Sequence, residues 1–119
     1  MRFQADFNLA FEMMTLPTIS LVTPNFNQGQ YLGQTIRSVI SQDYRNLEYI
    51  VVDGGSDDES LQVIESFQDH IAKWISECDN GQYDAINKGF SHSSGEIMGW
   101  INSDDFLLPG CLKTVGSIF

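Results

Sequence analysis

Basic residues are scarce. Six lysines and arginines stand against sixteen aspartates and glutamates, a formal net charge of −10 over 119 residues. Such a chain has no positive footprint for nucleic acid or for an anionic lipid surface. A phosphate-bearing ligand must then be met by a cation or by backbone N–H groups. Cysteine is equally sparse. Cys78 and Cys111 lie far apart without metal-type spacing and read as free thiols of a reducing compartment. No apolar run approaches the length of a membrane span. The first fifteen residues contain Asp6 and Glu12 and lack the apolar centre of a secretion signal, so the cytoplasm is the expected location. Proline is limited to Pro17, Pro24 and Pro109, and each marks an expected boundary.

What is present reads as a single globular domain, with 42% hydrophobic residues and mixed charge. Residues 1–16 are weakly patterned and form a leader; the domain covers 17–119. Residues 18–23 are apolar and β-branched, a first strand expected to stop at Pro24. A helix over about 30–42 places Leu32, Ile36, Val39 and Ile40 on one face. Residues 48–52 make a second strand whose apolar run suits a parallel sheet covered on both sides. Ser56, Asp57 or Asp58 caps the next helix, with Asp57 the preferred cap. Its buried face and exit are marked by Leu61, Ile64, Phe67 and Ile71. A short strand over 73–76, a helix over 82–91 and a fourth strand over 97–101 follow. A last helix begins at Leu108 with Pro109 in its first turn.

The pattern predicts an α/β domain with a mainly parallel sheet, helices on both faces and right-handed crossovers. Ligands of such sheets sit beyond the carboxyl ends of the strands. The loops there are 23–29, 53–58, 77–84 and 102–105, and they hold many of the Asn and Asp residues. The last is the most telling. A short uncharged run, residues 97–101, leads straight into Asn102-Ser103-Asp104-Asp105. Two adjacent carboxylates at that place either face water as a polar turn or hold a hard divalent cation.

Four segments in order carry a resemblance. They are Thr23-Pro24-Asn25-Phe26-Asn27, Val51-Val52-Asp53-Gly54-Gly55-Ser56-Asp57-Asp58, the run from Asp79 to Gly89, and Asn102-Ser103-Asp104-Asp105. Together they resemble the successive motifs of family 2 glycosyltransferases with the Rossmann-like GT-A fold, over about residues 17–119. The resemblance implies a nucleotide-sugar donor, usually a UDP-sugar, a divalent Mn²⁺ or Mg²⁺, and inverting transfer to a saccharide acceptor, as in polysaccharide biosynthesis. It implies that Phe26 stacks on uracil while Thr23 or Asn27 bonds its edge, with core packing and helix capping as their alternatives. It places Asp53 at the uracil or ribose, although many members carry a second Asp where this chain has Gly54. Asp79 and Asp84 fall in a ribose- and sugar-contacting loop, and Asp84 reads equally as a first-turn helix acid. Lys88 is a candidate counter-charge for diphosphate, or a solvated helix lysine. Asn102 stands at the first position of the Asp-x-Asp motif, where it can bond a ribose or a metal-bound water but supplies no charge. Asp104 is the first choice for metal ligand, with Asp105 assisting.

In the family the general base and most acceptor contacts follow the metal motif. Residues 106–119 contain no acid. The chain therefore reads as the nucleotide-binding half of a longer enzyme, C-terminally truncated and without its own catalytic base. The alternative is a non-catalytic module that binds a nucleotide or a partner. An exposed sheet edge left by truncation would favour self-association.

Overall fold

The computed structural model describes residues 15–119. The leader expected over 1–16 lies almost wholly outside them. Leu16, at its end, packs against the core group of Ile19, Tyr44 and Leu112.

Four parallel strands form one sheet. They are β1 (Ile19–Asn25), β2 (Leu47–Asp53), β3 (Lys73–Ser76) and β4 (Ile97–Trp100), in the order β3-β2-β1-β4. The connections supply α1 (Gly29–Ile40), α2 (Ser60–Ser66), a 3₁₀ turn (Gln68–His70), α3 (Gln82–Ser91) and α4 (Cys111–Ile118). The register pairs Leu21 with Tyr49 and Val22 with Ile50. Alternation then sends the odd and even members to opposite faces. Leu21, Tyr49 and Val51 meet Leu32, Ile36 and Val39 of α1 and Ile64 of α2. Val22, Ile50 and Val52 meet Ala85 and Phe90 of α3. Both faces are thus covered, which is why the β2 run is continuously apolar.

Two elements depart from the expected boundaries. β1 continues through Pro24, which pairs in register with Val52. Thr18 and Val22 direct their carbonyls toward β4, accepting from Ile97 and Ile101. Pro24 shares their side, and the β4 ladder ends at Val22–Trp100. The N–H that proline lacks therefore has no strand left to serve. The last helix starts at Cys111, not Leu108. Leu108, Pro109 and Gly110 lead into it, and Gly110 turns the chain with φ +81°.

Strand order changes side after β3: the chain has grown outward through β2 and β3, then crosses back to lay β4 on the other flank of β1. The crevice of an open α/β sheet opens at such a reversal.

Candidate functional site

A cleft of about 440 Å³ lies at that reversal. It is lined by Pro24, Asn25, Phe26 and Gln28 after β1 and by Gly54 after β2. Asp79, Gly81, Gln82 and Ala85 line it after β3, and Asn102, Ser103 and Asp104 after β4. All four loops expected to converge contribute.

Phe26, Asn102 and Asp104 stand on the wall. Phe26 keeps 59% of its surface exposed, an aromatic face with no core to pack on. Asn102 is half-buried and its Oδ1 accepts a hydrogen bond from Gln82 Nε2. Ser103 is buried, and its carbonyl accepts from the Thr35 hydroxyl of α1 at 2.8 Å. The same hydroxyl also donates to the Asp105 carbonyl. The backbone of the Asn102–Asp105 turn is thereby clamped to α1, leaving the Asp104 side chain exposed at the cleft.

The other candidates do not line the cleft. Thr23 has no exposed surface, and its hydroxyl is 2.7 Å from the Tyr49 phenol, whose own pKa burial drives upward. Asn27 takes a left-handed conformation with φ +53°. Its N–H donates to Ser56 Oγ at 2.8 Å and its Oδ1 accepts from Asp57 N–H at 2.9 Å, so it ties the β1–α1 loop to the β2–α2 loop. Asp84 accepts from Asn80 N–H at 2.9 Å and lies 3.7 Å from Lys88, anchoring the start of α3. Asp105 is exposed beside the cleft rather than on its wall.

Asp53 sits beneath the floor with no exposed surface. Oδ1 accepts from Asn25 Nδ2 at 2.8 Å and Ser56 Oγ at 2.6 Å. Oδ2 accepts from the N–H groups of Gly55 and Ser56, at 3.1 and 2.9 Å, and from Ser76 Oγ at 2.9 Å. Burial pushes its pKa up, but the Ser56 hydroxyl and N–H, the Asn25 amide and the Ser76 hydroxyl more than offset this and hold it below the usual range. The carboxylate organises the ends of β1, β2 and β3. Asn25 Oδ1 is buried without a hydrogen-bond partner among the described residues.

One expectation is corrected. Asp58, not Asp57, caps, and it serves two helices: Oδ2 accepts from Gly29 N–H of α1 and Oδ1 from Ser60 N–H of α2, both at 2.9 Å. Lys88 forms ion pairs with Glu77 and Asp84, at 3.2 and 3.7 Å. The glutamines of the cleft, Gln28 and Gln82, were not picked out from the sequence. Neither residue type nor spacing marked them, and only the convergence of loops brings them in.

Among the described residues no group of three or more His, Cys, Asp or Glu is arranged to hold a metal ion. The donor set still fits a hard divalent ion, because Mg²⁺ and Mn²⁺ take one or two carboxylates together with substrate phosphate and water. No helix among the described residues is long and apolar enough to cross a membrane.

The profile of glycosyl transferase family 2 matches residues 20–115. An uncharacterised glycosyltransferase of Mycobacterium tuberculosis is 40% identical over 94 residues, which are 78% of this chain and 36% of that protein. The GalNAc(5)-diNAcBac-PP-undecaprenol beta-1,3-glucosyltransferase of Campylobacter jejuni is 33% identical over 104 residues, 84% of this chain and 34% of its own. This chain therefore spans about a third of the length of these relatives. Among solved structures, S. aureus TarS 1–349 in complex with UDP-GlcNAc superposes with a TM-score of 0.78 at 25% identity, over 84% of this chain and 30% of TarS 1–349. A mannosyltransferase of Pyrobaculum calidifontis, in complex with GDP-Man and Mn²⁺, shares the fold with a TM-score of 0.76 at 20% identity, over 89% of this chain and 32% of its own. By sequence and by fold, this chain belongs to glycosyl transferase family 2 and has the GT-A architecture.

Proposed function

We propose that the cleft binds the nucleoside diphosphate part of a UDP-sugar, with a divalent Mn²⁺ or Mg²⁺ on Asp104, as the donor half of an inverting glycosyltransferase that builds a glycan. The observation that carries the reading is the placement of an exposed aromatic and an exposed carboxylate on one cleft at the strand-order reversal. Phe26 offers a stacking face for a base. Asn102 offers an amide to a ribose. The net charge of −10 would repel a diphosphate, so a bridging cation is needed to bring it in. When bound, that ion neutralises charge developing on the leaving diphosphate. Asp104 is its proposed protein ligand, and Asp105 supports it from the adjoining position.

Residues 17–119 are the proposed donor domain. Two free thiols, Cys78 and Cys111, and the use of a nucleotide-sugar fit a cytoplasmic setting. Calorimetric titration of UDP, with Mn²⁺ and then with EDTA, tests the donor site. Affinity that depends on the metal is expected; equal affinity in both conditions would sink the metal assignment.

A further inference from the structure

Several polar groups lie on or beneath the end of the cleft nearest β2, and all but one are committed or sealed from solvent. Both Asp53 oxygens are taken by protein donors. The Thr23 hydroxyl is turned to Tyr49. Asn25 Oδ1 lacks a partner but is sealed from solvent. Asp79 differs. Its carboxylate lies against the bare Cα of Gly54: a Cβ built there would fall 2.9 and 3.0 Å from the two oxygens. A side chain at 54 would have to displace it, so glycine at this position admits the carboxylate. Oδ1 accepts from Gly81 N–H at 3.0 Å. Oδ2 has no hydrogen bond among the described residues, and Asp79 is a half-buried part of the cleft wall.

We propose that Asp79 reads the base of the donor, its one free oxygen accepting the ring imide N–H of uracil. The inference rests on the donor-site reading above and names the group that selects the base. Gly54 N–H is bonded to the Asn25 carbonyl at 2.9 Å, and Phe26 follows Asn25, so the stacking face and the Asp79 carboxylate belong to the same end of the cleft. A single free acceptor matches an edge with a single donor. Guanine presents two donors side by side and is best met by a carboxylate with both oxygens free, one of which Gly81 occupies. Cytosine presents an unprotonated ring nitrogen where uracil has its N–H, and its donor is the exocyclic amine instead. Asp53 is then a positioning residue: it holds residues 54–56 so that the bare face of Gly54 is turned to Asp79.

The test is calorimetry with Mn²⁺, titrating UDP, N3-methylated UDP and GDP into the wild-type chain, Asp79→Asn and Gly54→Ala, each checked for folding by circular dichroism. The wild type is expected to bind UDP roughly tenfold or more tighter than the other two, the effect of one hydrogen bond to a charged group. In Asp79→Asn, and in Gly54→Ala where the new methyl displaces the carboxylate, the preference for UDP over its N3-methyl form is expected to fall to about one. A preference that persists in both variants, or GDP binding as tightly as UDP, overturns the inference and leaves the donor site standing. Absence of binding by every nucleotide to the folded wild type overturns the donor site, and the inference with it. A wild type indifferent to N3-methylation overturns the inference whatever the variants do.

Discussion

Asp53 ends β2 and Asp104 follows β4, and their surroundings differ. Asp53 is charged because five hydrogen bonds from the protein require it. Asp53→Ala leaves those donors buried and unmet, and a loss of about 3 kcal/mol of stability is expected in a denaturant titration. Uridine binding should weaken with it, because the loop of residues 54–56 is no longer held. Asp104 is exposed and makes no hydrogen bond among the described residues. Asp104→Ala should leave the denaturation midpoint within about 0.5 kcal/mol of wild type. It should also remove the metal dependence of UDP binding, measured by the same titration with and without EDTA. The sequence marked both residues as acids at strand ends. It did not separate them, because burial and donor count at one position depend on the neighbouring strands. Nor did it show that Thr23 faces Tyr49, a contact between residues 26 positions apart.

At the scale of elements, the strands and the first three helices were legible, since alternation and helical spacing are local. Boundaries failed where a non-local fact decided them. Pro24 stays in β1, on the side where the β4 ladder ends, and α4 is delayed to Cys111 although Pro109 suits a first turn. The double cap at Asp58 joins two helices that are separate in sequence, and no one-helix rule exposes it. Asp58→Ala should cost about 1 kcal/mol or more, with hydrogen exchange accelerating at the starts of both α1 and α2. Helix α3 approaches β1 so closely that a Cβ at Gly89 would collide with the Val22 side chain. Gly89→Ala should therefore destabilise by about 1–3 kcal/mol through overpacking, despite a helix-propensity gain of about 1 kcal/mol; thermal denaturation decides the sign. Glu48 binds the start of β2 to Ser20 of β1 at 2.7 Å and to Ser94 N–H before β4 at 2.8 Å. The Ser20 hydroxyl, with further help from Ser94 and Lys73, outweighs burial and holds its pKa below the usual value. The lowered folded value means that this stabilisation is complete above the unfolded carboxylate pKa of about 4.3 and is lost as pH falls through the folded one. Glu48→Gln should flatten the acid limb of the stability profile measured by urea denaturation between pH 6 and pH 3.

As a whole, the molecule is a parallel sheet with β4 at one end of the strand order. β4 lies at the edge of the sheet with Met98 and Trp100 each more than half exposed. Two copies are expected to pair there once salt screens their charge; sedimentation velocity should show a concentration-dependent species that Met98→Lys removes. One further property of the whole follows from Pro24. Ile101 donates to the Val22 carbonyl, and in a parallel ladder the next bond would run from the N–H of residue 24 back to Ile101. Proline has none to give, so the zip between the first and fourth strands stops there and the two chain paths part. The cleft is in that sense a seam left unsewn, held open by the missing stitch. Restoring an amide with Pro24→Val should let the seam close by another rung, narrowing the gap between Asn25 and Asn102 on the cleft wall and weakening UDP binding in the calorimetric titration.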